Sequence, residues 1–265
     1  MAFEELKERH AAMWGAGPFE KIAPTLAEMH DALIESVDGG PGDRWLDLGC
    51  GTGELVFRAT RTGADLRGAD LAPNLVETAR RQAAELGHDI PFEVADAENL
   101  PYGDASFDVV TSSVGMIFAP THERVAAEVA RVLRPEGRLA FSAWTVDGSI
   151  GDFFKLIGSY SPPPPEGAGV AIAWGTRDHV TALLADDFDL AFESRTAPWH
   201  GESAEALWDE IAESFGPIVV LLRMLDAETA ARFRSEMIEL FERLSTTDEG
   251  ITVDRPYLLT RGVRR

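Results

Sequence analysis

Between residues 44 and 144, short apolar runs alternate with amphipathic segments, and this alternation restricts the fold more than any other feature of the chain. The apolar runs have strand length and read RWLDLG, ADLRGADL, PFEVAD, FDVVTSS and GRLAFSAW. The segments between them include NLVETARRQAAEL and ERVAAEVARVL, whose apolar residues recur at helical spacing. Strands that alternate with helices in this way indicate βαβ units, and therefore an α/β protein with a parallel sheet.

The parts of the chain on either side of this region have a different pattern. Residues 1–43 indicate helices that end at the turn cluster DGGPGD. Four prolines at residues 162–165 predict a stiff, extended linker, and helices are expected around 203–225 and 226–245. We predict strands at 44–48, 65–70, 91–95, 107–112 and 138–144, and then two late strands near 188–196 and 256–263.

Composition narrows the classes of partner and compartment. The chain has 45 acidic residues against 24 lysines and arginines, a net charge of −21, and such a surface repels the phosphates of DNA and RNA. Cys50 is the only cysteine, so an intrachain disulfide is impossible, and no Cys/His spacing indicates a metal site. No signal-peptide core and no run of about 18 apolar residues occurs, so we expect a cytoplasmic protein without a membrane span, either a monomer or a homodimer.

The loop after the first strand, DLGCGTG at residues 47–53, is the first candidate binding element. Glycine adopts backbone angles that other residues avoid, and its missing side chain lets a ligand lie against the main chain. A P-loop would need Gly-Lys-Ser/Thr, but Glu54 follows Gly53. A dinucleotide loop would have the spacing G-x-G-x-x-G, whereas this one has G-x-G-x-G, so a nicotinamide-dependent oxidoreductase is the less favoured alternative.

Two carboxylates at strand ends complete the pattern. Asp70 ends the second strand 17 residues after Gly53 (70 − 53 = 17), close to the ~20 expected for a carboxylate that binds ribose hydroxyls. Asp96, followed by Ala97, ends the third strand, where it can accept a hydrogen bond from an exocyclic amine such as that of adenine. Each aspartate could instead be an ordinary turn or helix-capping residue.

Four stretches, WLDLGCGTGE, GADLAPNLVETAR, VADAENLPYGDASFDVVTSS and EVARVLRPEGRLAFSAW, resemble successive motifs of class I S-adenosylmethionine-dependent methyltransferases. The resemblance is nearest to the ubiquinone/menaquinone C-methyltransferase-like branch, of the methyltransferase domain 11 type. It implies a Rossmann-like fold with a seven-stranded, mostly parallel sheet, an antiparallel last strand and helical cap insertions. It also implies S-adenosyl-L-methionine as cofactor and S-adenosyl-L-homocysteine as product.

The resemblance assigns roles to individual residues of the core. The loop glycines would wrap the methionine and ribose parts of the cofactor, Asp70 would bind both ribose hydroxyls, and Leu71 would contact the cofactor. Asp96 and Ala97 would flank adenine, and Ser112 and Ser113 would border the reacting centre. The residues in these roles are Gly49, Gly51, Gly53, Asp70, Leu71, Asp96, Ala97, Ser112 and Ser113.

Four further residues are candidates for the same site. The segment WGAGPF resembles a part of the family that folds over the cofactor, so Trp14 and Phe19 would contact it, although Trp14 could equally be a core aromatic. Asp47 could favour a cationic ligand or simply bind loop N–H groups. Cys50 is expected to be a small loop residue with an unactivated thiol.

The remaining expectations concern the acceptor. Residues 1–43 would form a helical lid, 44–144 the cofactor-binding core, and 145–265 the rest of the sheet with acceptor-binding insertions, all in one structural domain. The acceptor would be a small, largely apolar molecule, quinone-like or a secondary metabolite, and no nucleic acid. Aromatic residues that could line its pocket, although most of them are expected to be ordinary packing residues, are Phe153, Phe154, Trp174, Trp199, Trp208 and Phe215.

The sequence assigns no catalytic residue. His122 and His200 are weak candidates for a general base, because a lone histidine is more often a surface or capping residue. A non-catalytic, cofactor-binding protein of the same fold stays open as a second alternative.

Overall fold

The computed structural model describes residues 3–247 and 249–265, and its centre is one seven-stranded sheet. The strands are β1 Arg44–Leu48, β2 Asp65–Asp70, β3 Phe92–Val94, β4 Phe107–Ser113, β5 Leu133–Trp144, β6 Phe188–Gly201 and β7 Ile251–Arg264. Their order across the sheet is β3-β2-β1-β4-β5-β7-β6. The first five pair in parallel, and β7 runs antiparallel to both of its neighbours. The predicted Rossmann-like fold with an antiparallel last strand is therefore confirmed.

Ten α-helices flank the sheet within the described residues. They are α1 Glu4–Trp14, α2 Ala27–Val37, α3 Glu54–Ala59, α4 Pro73–Leu86, α5 His122–Val132, α6 Ser149–Tyr160, α7 Arg177–Leu184, α8 Ala204–Ser214, α9 Gly216–Met224 and α10 Ala227–Leu244. The strands of the parallel half are buried along most of their length because helices cover both faces, and parallel sheets require such cover. Among the described residues, none of these helices is both long and apolar enough to cross a membrane.

The two late strands are longer than predicted, since β6 continues to Gly201 instead of 196 and β7 begins at Ile251 instead of about 256. Two further elements differ from the sequence prediction by more than one residue. The helix expected around 203–225 is split into α8 and α9, because Phe215 is extended (φ −88°, ψ 102°) and Pro217, which lacks an N–H group, fits only the first turn of a helix. β5 begins at Leu133 instead of 138, since Leu133 pairs with Phe107 before an irregularity in the ladder. Neither difference moves an element that carries a candidate cofactor contact.

Strands β6 and β7 extend beyond the rest of the sheet at one end. Trp144, the last residue of β5, pairs with Tyr257, whereas the only strand that pairs with residues 251–256 of β7 is β6 in the described structure, apart from an isolated bridge between Val253 and Ser245. This two-stranded ribbon packs with α6, α8 and α10 around a second apolar core, separate from the core that lies between the sheet and its main helices. The ribbon and these helices therefore form a cap over the carboxyl end of β5.

Candidate functional site

A single cavity opens at the carboxyl ends of β1, β2 and β4 and continues beneath the cap. The order of the parallel strands reverses between β1 and β4, and ligands of open α/β sheets bind at such a switch point. Of the thirteen cofactor contacts predicted from the sequence, eleven line this cavity. They are Trp14, Phe19, Asp47, Gly49, Cys50, Gly51, Asp70, Leu71, Asp96, Ala97 and Ser113.

The glycine loop is shaped by close backbone approaches. Gly49 has φ +68°, and a Cβ atom there would lie 2.7 Å from the Cα atom of Gly115, so two backbone segments meet without side chains. Gly51 has φ +54° and lies on the cavity wall, facing the ring of Phe19. Gly53 (φ +91°) begins α3 and is outside the cavity wall, where a Cβ atom would meet the ring of Phe57. Gly53 therefore shapes the turn, and Gly51 leaves room for a ligand.

Asp70 connects the loop to the next strand. Its Oδ2 atom accepts a hydrogen bond from the Gly51 N–H at 2.9 Å, and its Oδ1 atom accepts one from the Ala72 N–H at 2.8 Å. Burial raises the pKa of this carboxyl, and these N–H groups oppose the shift. Asp70 therefore makes the hydrogen bonds expected of an ordinary turn residue, and its carboxylate also lines the cavity.

Asp96 is held by a lysine that the sequence prediction did not include. Lys7, on α1, is buried, and its Nζ atom lies 2.7 Å from Asp96 Oδ2 and 2.7 Å from Glu98 Oε2. Hydrogen bonds to these two carboxylates raise the pKa of Lys7 against the effect of burial, so it is charged. The ion pairs connect α1 to the end of β3, and they place Lys7 on the wall of the predicted adenine site.

Asp47 lies deepest in the cofactor side of the cavity. Its Oδ1 atom accepts a hydrogen bond from Thr111 Oγ1 at 2.8 Å, and Thr111 in turn accepts one from Trp45 Nε1. Burial raises the pKa of Asp47 to about 7, and the neighbouring Asp70 adds to the shift. A cation bound beside Asp47 would stabilise its ionised form and lower that pKa.

Three other candidates have distinct environments. The Ser112 hydroxyl donates to the Leu48 carbonyl at 2.6 Å and accepts from the Met116 N–H at 3.0 Å, so it stabilises the fold and does not line the cavity. Ser113 does line it. Burial and nearby carboxylates raise the pKa of Cys50 well above its usual value, which keeps the thiol protonated.

Aromatic rings form the boundary between the loop side and the cap. The ring centroid of Trp14 lies 5.9 Å from that of Phe19, 4.8 Å from Phe118 and 5.4 Å from Phe215. All four residues line the cavity. Trp14 therefore packs in an aromatic cluster, as a core residue would, and also forms part of the cavity wall, where a ligand could contact it.

The cap supplies four of the six aromatic residues predicted for an acceptor pocket. Phe153, Phe154, Trp199 and Phe215 line the cavity. Trp174 does not, because it is fully buried against Phe141 (5.5 Å between centroids), and Trp208 packs against Phe233 in the second core. These two tryptophans are packing residues, the alternative left open for the aromatic set, since aromatic composition does not distinguish a pocket wall from a core.

Neither histidine proposed as a base reaches the cavity. His122 is buried with its Nδ1 atom 2.9 Å from His179 Nε2, and His200 is exposed on β6 with its Nδ1 atom 3.1 Å from Thr252 Oγ1. The histidines that do line the cavity are His10 and His30. Burial lowers the pKa of both, in His30 to about 3.

Sequence reasoning also missed the polar groups that the cap and the N-terminal helices contribute. These are Lys7, His10, His30 and Arg255, all on the cavity wall. Arg255 had a detectable signal, because it occupies an inward position in the alternation Ile251, Val253, Arg255, Tyr257 of β7, but the predicted late strand began near 256 and did not include it. The other three lie on amphipathic helices whose partners cannot be identified from spacing alone.

Comparison with known proteins agrees with this architecture. Residues 46–141 match the family described as "Methyltransferase domain". An uncharacterised protein of Mycobacterium tuberculosis is 31% identical over 262 residues, which cover 93% of this chain and 96% of that protein. The 27-O-demethylrifamycin SV methyltransferase of Amycolatopsis mediterranei is 32% identical over 232 residues, 81% of this chain and 79% of that enzyme.

A solved structure extends the likeness to the fold of nearly the whole chain. The geranyl diphosphate C-methyltransferase of Streptomyces coelicolor superimposes with a TM-score of 0.56 at 16% identity, covering 90% of this chain and 76% of that enzyme. The family match, the full-length relatives and the strand order agree with one another. The chain is a member of the class I S-adenosylmethionine-dependent methyltransferases.

Proposed function

We propose that this protein transfers the methyl group of S-adenosyl-L-methionine to a small, largely apolar acceptor held beneath the cap. The observation that carries the proposal is the continuity of one cavity from the glycine loop and Asp70 to Phe153, Phe154 and Trp199. We call the side with the glycine loop and Asp70 the cofactor half, and the side with Phe153, Phe154 and Trp199 the apolar half. A transfer between two bound molecules requires that two such binding regions be directly connected.

The residues of the first half fit the cofactor chemically. Asp70 offers a carboxylate for ribose hydroxyls, and Asp96 offers one for the adenine amine beside Lys7. The buried carboxyl of Asp47 would stabilise a positive group of the cofactor when it is ionised. Gly51 has no side chain, so the cofactor has room to lie against the backbone there. When bound, S-adenosylmethionine supplies a methyl group that its sulfonium has already activated.

The chain's own contribution is orientation and exclusion of water. The cap rings surround the apolar half, and α1 with the following segment up to Ile22 covers the loop side, so residues 1–43 act as a lid in this proposal. With the cofactor bound, these walls would hold the acceptor atom in line with the activated methyl group, and the acceptor would release a proton on methylation. His30 lines the cavity, but with a pKa of about 3 it is a weak base, so we assign no catalytic residue.

The acceptor class rests on the cavity wall and on one relative. The wall beneath the cap is mainly aromatic and aliphatic, and the relative from Amycolatopsis mediterranei is by its name a methyltransferase of 27-O-demethylrifamycin SV. We propose a quinone-like or polyketide-like acceptor for this chain, methylated at oxygen, nitrogen or carbon.

Calorimetric titration with S-adenosylhomocysteine and with NAD⁺ tests the cofactor half of this proposal. We expect binding of S-adenosylhomocysteine and none of NAD⁺, and the reverse result would favour the oxidoreductase alternative. The transfer itself is tested by measuring S-adenosylhomocysteine formation with a panel of quinols, phenols and macrolactones. Binding without turnover on any member would favour a non-catalytic cofactor-binding protein.

A further inference from the structure

A single arginine is buried in the wall of the apolar half. Arg255 lies on the part of β7 that extends beyond β5, where β6 is the only strand that pairs with it in the described structure. The residue is 4% exposed, yet it lines the cavity together with the rings of Trp144 and Trp199. A full positive charge in such surroundings is expensive unless it is compensated.

The contacts of the guanidinium are all with neutral groups. Its Nε atom donates to the Ala197 carbonyl at 3.2 Å, and its terminal nitrogens donate to Thr25 Oγ1 at 3.2 Å, the Thr25 carbonyl at 2.6 Å and the Pro198 carbonyl at 3.3 Å. These bonds use four of the five N–H groups of an arginine. Among residues 3–247 and 249–265, no carboxylate oxygen lies within 4.0 Å of it.

The remaining stabilisation of the charge is incomplete. The guanidinium lies over the rings of Trp199 (5.2 Å to the centroid) and Trp144 (5.8 Å), which attract a cation through their faces. Glu210, on α8, attracts it from beyond ion-pairing distance, but burial raises the pKa of Glu210 and so opposes its ionisation. Burial still lowers the pKa of Arg255 to about 10, which marks a cation without a full counter-charge.

We infer that Arg255 is the anion-recognition point of the acceptor pocket, and that the acceptor is an apolar molecule carrying one acidic oxygen group, a carboxylate or an ionised phenol or enol. The inference rests on the proposed function and deepens it by giving the acceptor a charge. An aromatic or polyketide skeleton would pack against Phe153, Phe154 and Trp199, while the oxyanion would bind the guanidinium.

The number of charges favours a monoanion over a phosphate ester or diphosphate. Arg255 is the only lysine or arginine among the residues that line the cap side of the cavity in the described structure, and Lys7, on the loop side, is already paired with two carboxylates. One cation in an apolar wall balances one negative charge, and a second negative charge would be buried without a partner.

A purely structural role for Arg255 is the competing explanation, because its hydrogen bonds tie the segment Ala23–Leu26 to β6. The two roles differ in what they predict for ligands of equal shape and unequal charge. A structural clamp gives no preference between them, whereas an anion-recognition point binds the charged one more tightly.

Two probes of matched shape provide this comparison in the wild-type protein. Binding of 2-naphthoate and of its neutral amide, 2-naphthamide, is measured by calorimetry at neutral pH on the protein saturated with S-adenosylhomocysteine. We expect the carboxylate to bind about tenfold or more tightly than the amide, since a charge-assisted contact to a buried guanidinium is lost in the amide. Equal affinities, or no binding of naphthoate, would overturn the inference.

Variants of Arg255 test whether this arginine causes the preference for naphthoate over naphthamide. Arg255→Gln should remove the preference for naphthoate, and Arg255→Lys, which keeps a charge with fewer donors, should keep part of it. Arg261→Gln, an exposed position on the same strand, is the matched control and should leave it unchanged. A preference that persists in a folded Arg255→Gln protein would assign the anion site elsewhere and overturn the inference.

The same experiment separates this inference from the proposed function. Affinity for S-adenosylhomocysteine is measured on each protein before the probes are added. If it is absent in the wild type, the proposed methyltransferase function fails. If it is present while naphthoate and naphthamide bind equally, only the role of Arg255 fails.

Discussion

Asp47 illustrates, at the scale of one residue, how burial prepares a site for a cation. Its pKa of about 7 in the folded protein means that ionisation and binding of a positive ligand are coupled, because the ionised form attracts the cation and the protonated form does not. We expect the affinity for S-adenosylmethionine to rise by up to about tenfold per pH unit between about pH 5.5 and 7. Calorimetric titration across this range measures it, and the Asp47→Asn protein should show a flatter profile.

The same shift has a consequence for stability with a defined sign. The pKa is raised from 3.8 to about 7, so the folded state holds this proton more tightly than the unfolded state. The stability that protonated Asp47 contributes is therefore complete below pH 3.8 and is lost as the pH rises to about 7.

For the affinity profile of S-adenosylmethionine, the contradicting result is a pH dependence that is identical in the wild type and the Asp47→Asn protein. That result would disprove the electrostatic role of Asp47.

Asp70 is the residue whose removal tests the ribose role. Asp70→Ala should weaken S-adenosylhomocysteine binding by about 10- to 100-fold, since a charge-assisted hydrogen bond contributes ~1.5–3 kcal/mol. Asp65→Ala, at the exposed start of the same strand, is the control and should bind normally. Because Asp70 also accepts loop N–H bonds, Asp70→Asn is measured beside it, and an unchanged dissociation constant in both variants would rule out ribose contact.

At the scale of elements, the buried ion pairs of Lys7 hold α1 against the sheet. Lys7→Met removes the ammonium and leaves Asp96 and Glu98 together without a cation, which should loosen α1. Hydrogen–deuterium exchange should become faster across Glu4–Trp14, and S-adenosylhomocysteine should bind more weakly. Lys155→Met, an exposed lysine on α6, should change neither, and unchanged exchange in Lys7→Met would show that α1 is held by other contacts.

Trp174 distinguishes a packing element from a pocket element. Its segment, Ala171–Gly175, packs against β5, and the indole is fully buried. Trp174→Ala should lower the free energy of unfolding by about 3–5 kcal/mol, the range for large-to-small changes in a core. Urea unfolding measures this loss, and Phe154→Ala on the cavity wall should cost clearly less. Equal losses would contradict the separation of core from pocket.

The sequence predicted elements better than it predicted contacts. Of the strands of the parallel half, β1 and β2 have the predicted bounds and the others differ by at most five residues, because buried strands between amphipathic helices produce a local pattern. The approach of Gly115 to Gly49 and the pairing of Lys7 with Asp96, 89 residues apart, leave no local pattern. The predicted roles of Asp70 and Asp96 depended on motif order, whereas the position of Lys7 became visible only when distant elements met at one cavity. The alternation around Arg255 indicates an inward side chain, but it does not show which cavity that side chain lines.

At the scale of the whole molecule, the chain has two apolar cores, and each stabilises a different part of the cavity wall. The first stabilises the sheet and fixes the carboxyl ends of β1, β2 and β4, where the loop and its carboxylates lie. The second stabilises the cap, whose inner side supplies Phe153, Trp199 and Arg255 to the same cavity. The proposed methyl transfer fits this division, because the proposed cofactor site lies at the carboxyl ends of the strands and the proposed acceptor site lies beneath the cap.

A crystal structure of the complex with S-adenosylhomocysteine tests this account most directly. The account predicts the ribose hydroxyls on Asp70, the adenine between Asp96 and Ala97, and the sulfur atom facing Phe154 and the cap. Its central claim would be contradicted if the sulfur faced bulk solvent, or if the ligand lay outside the cavity that joins the glycine loop to Arg255.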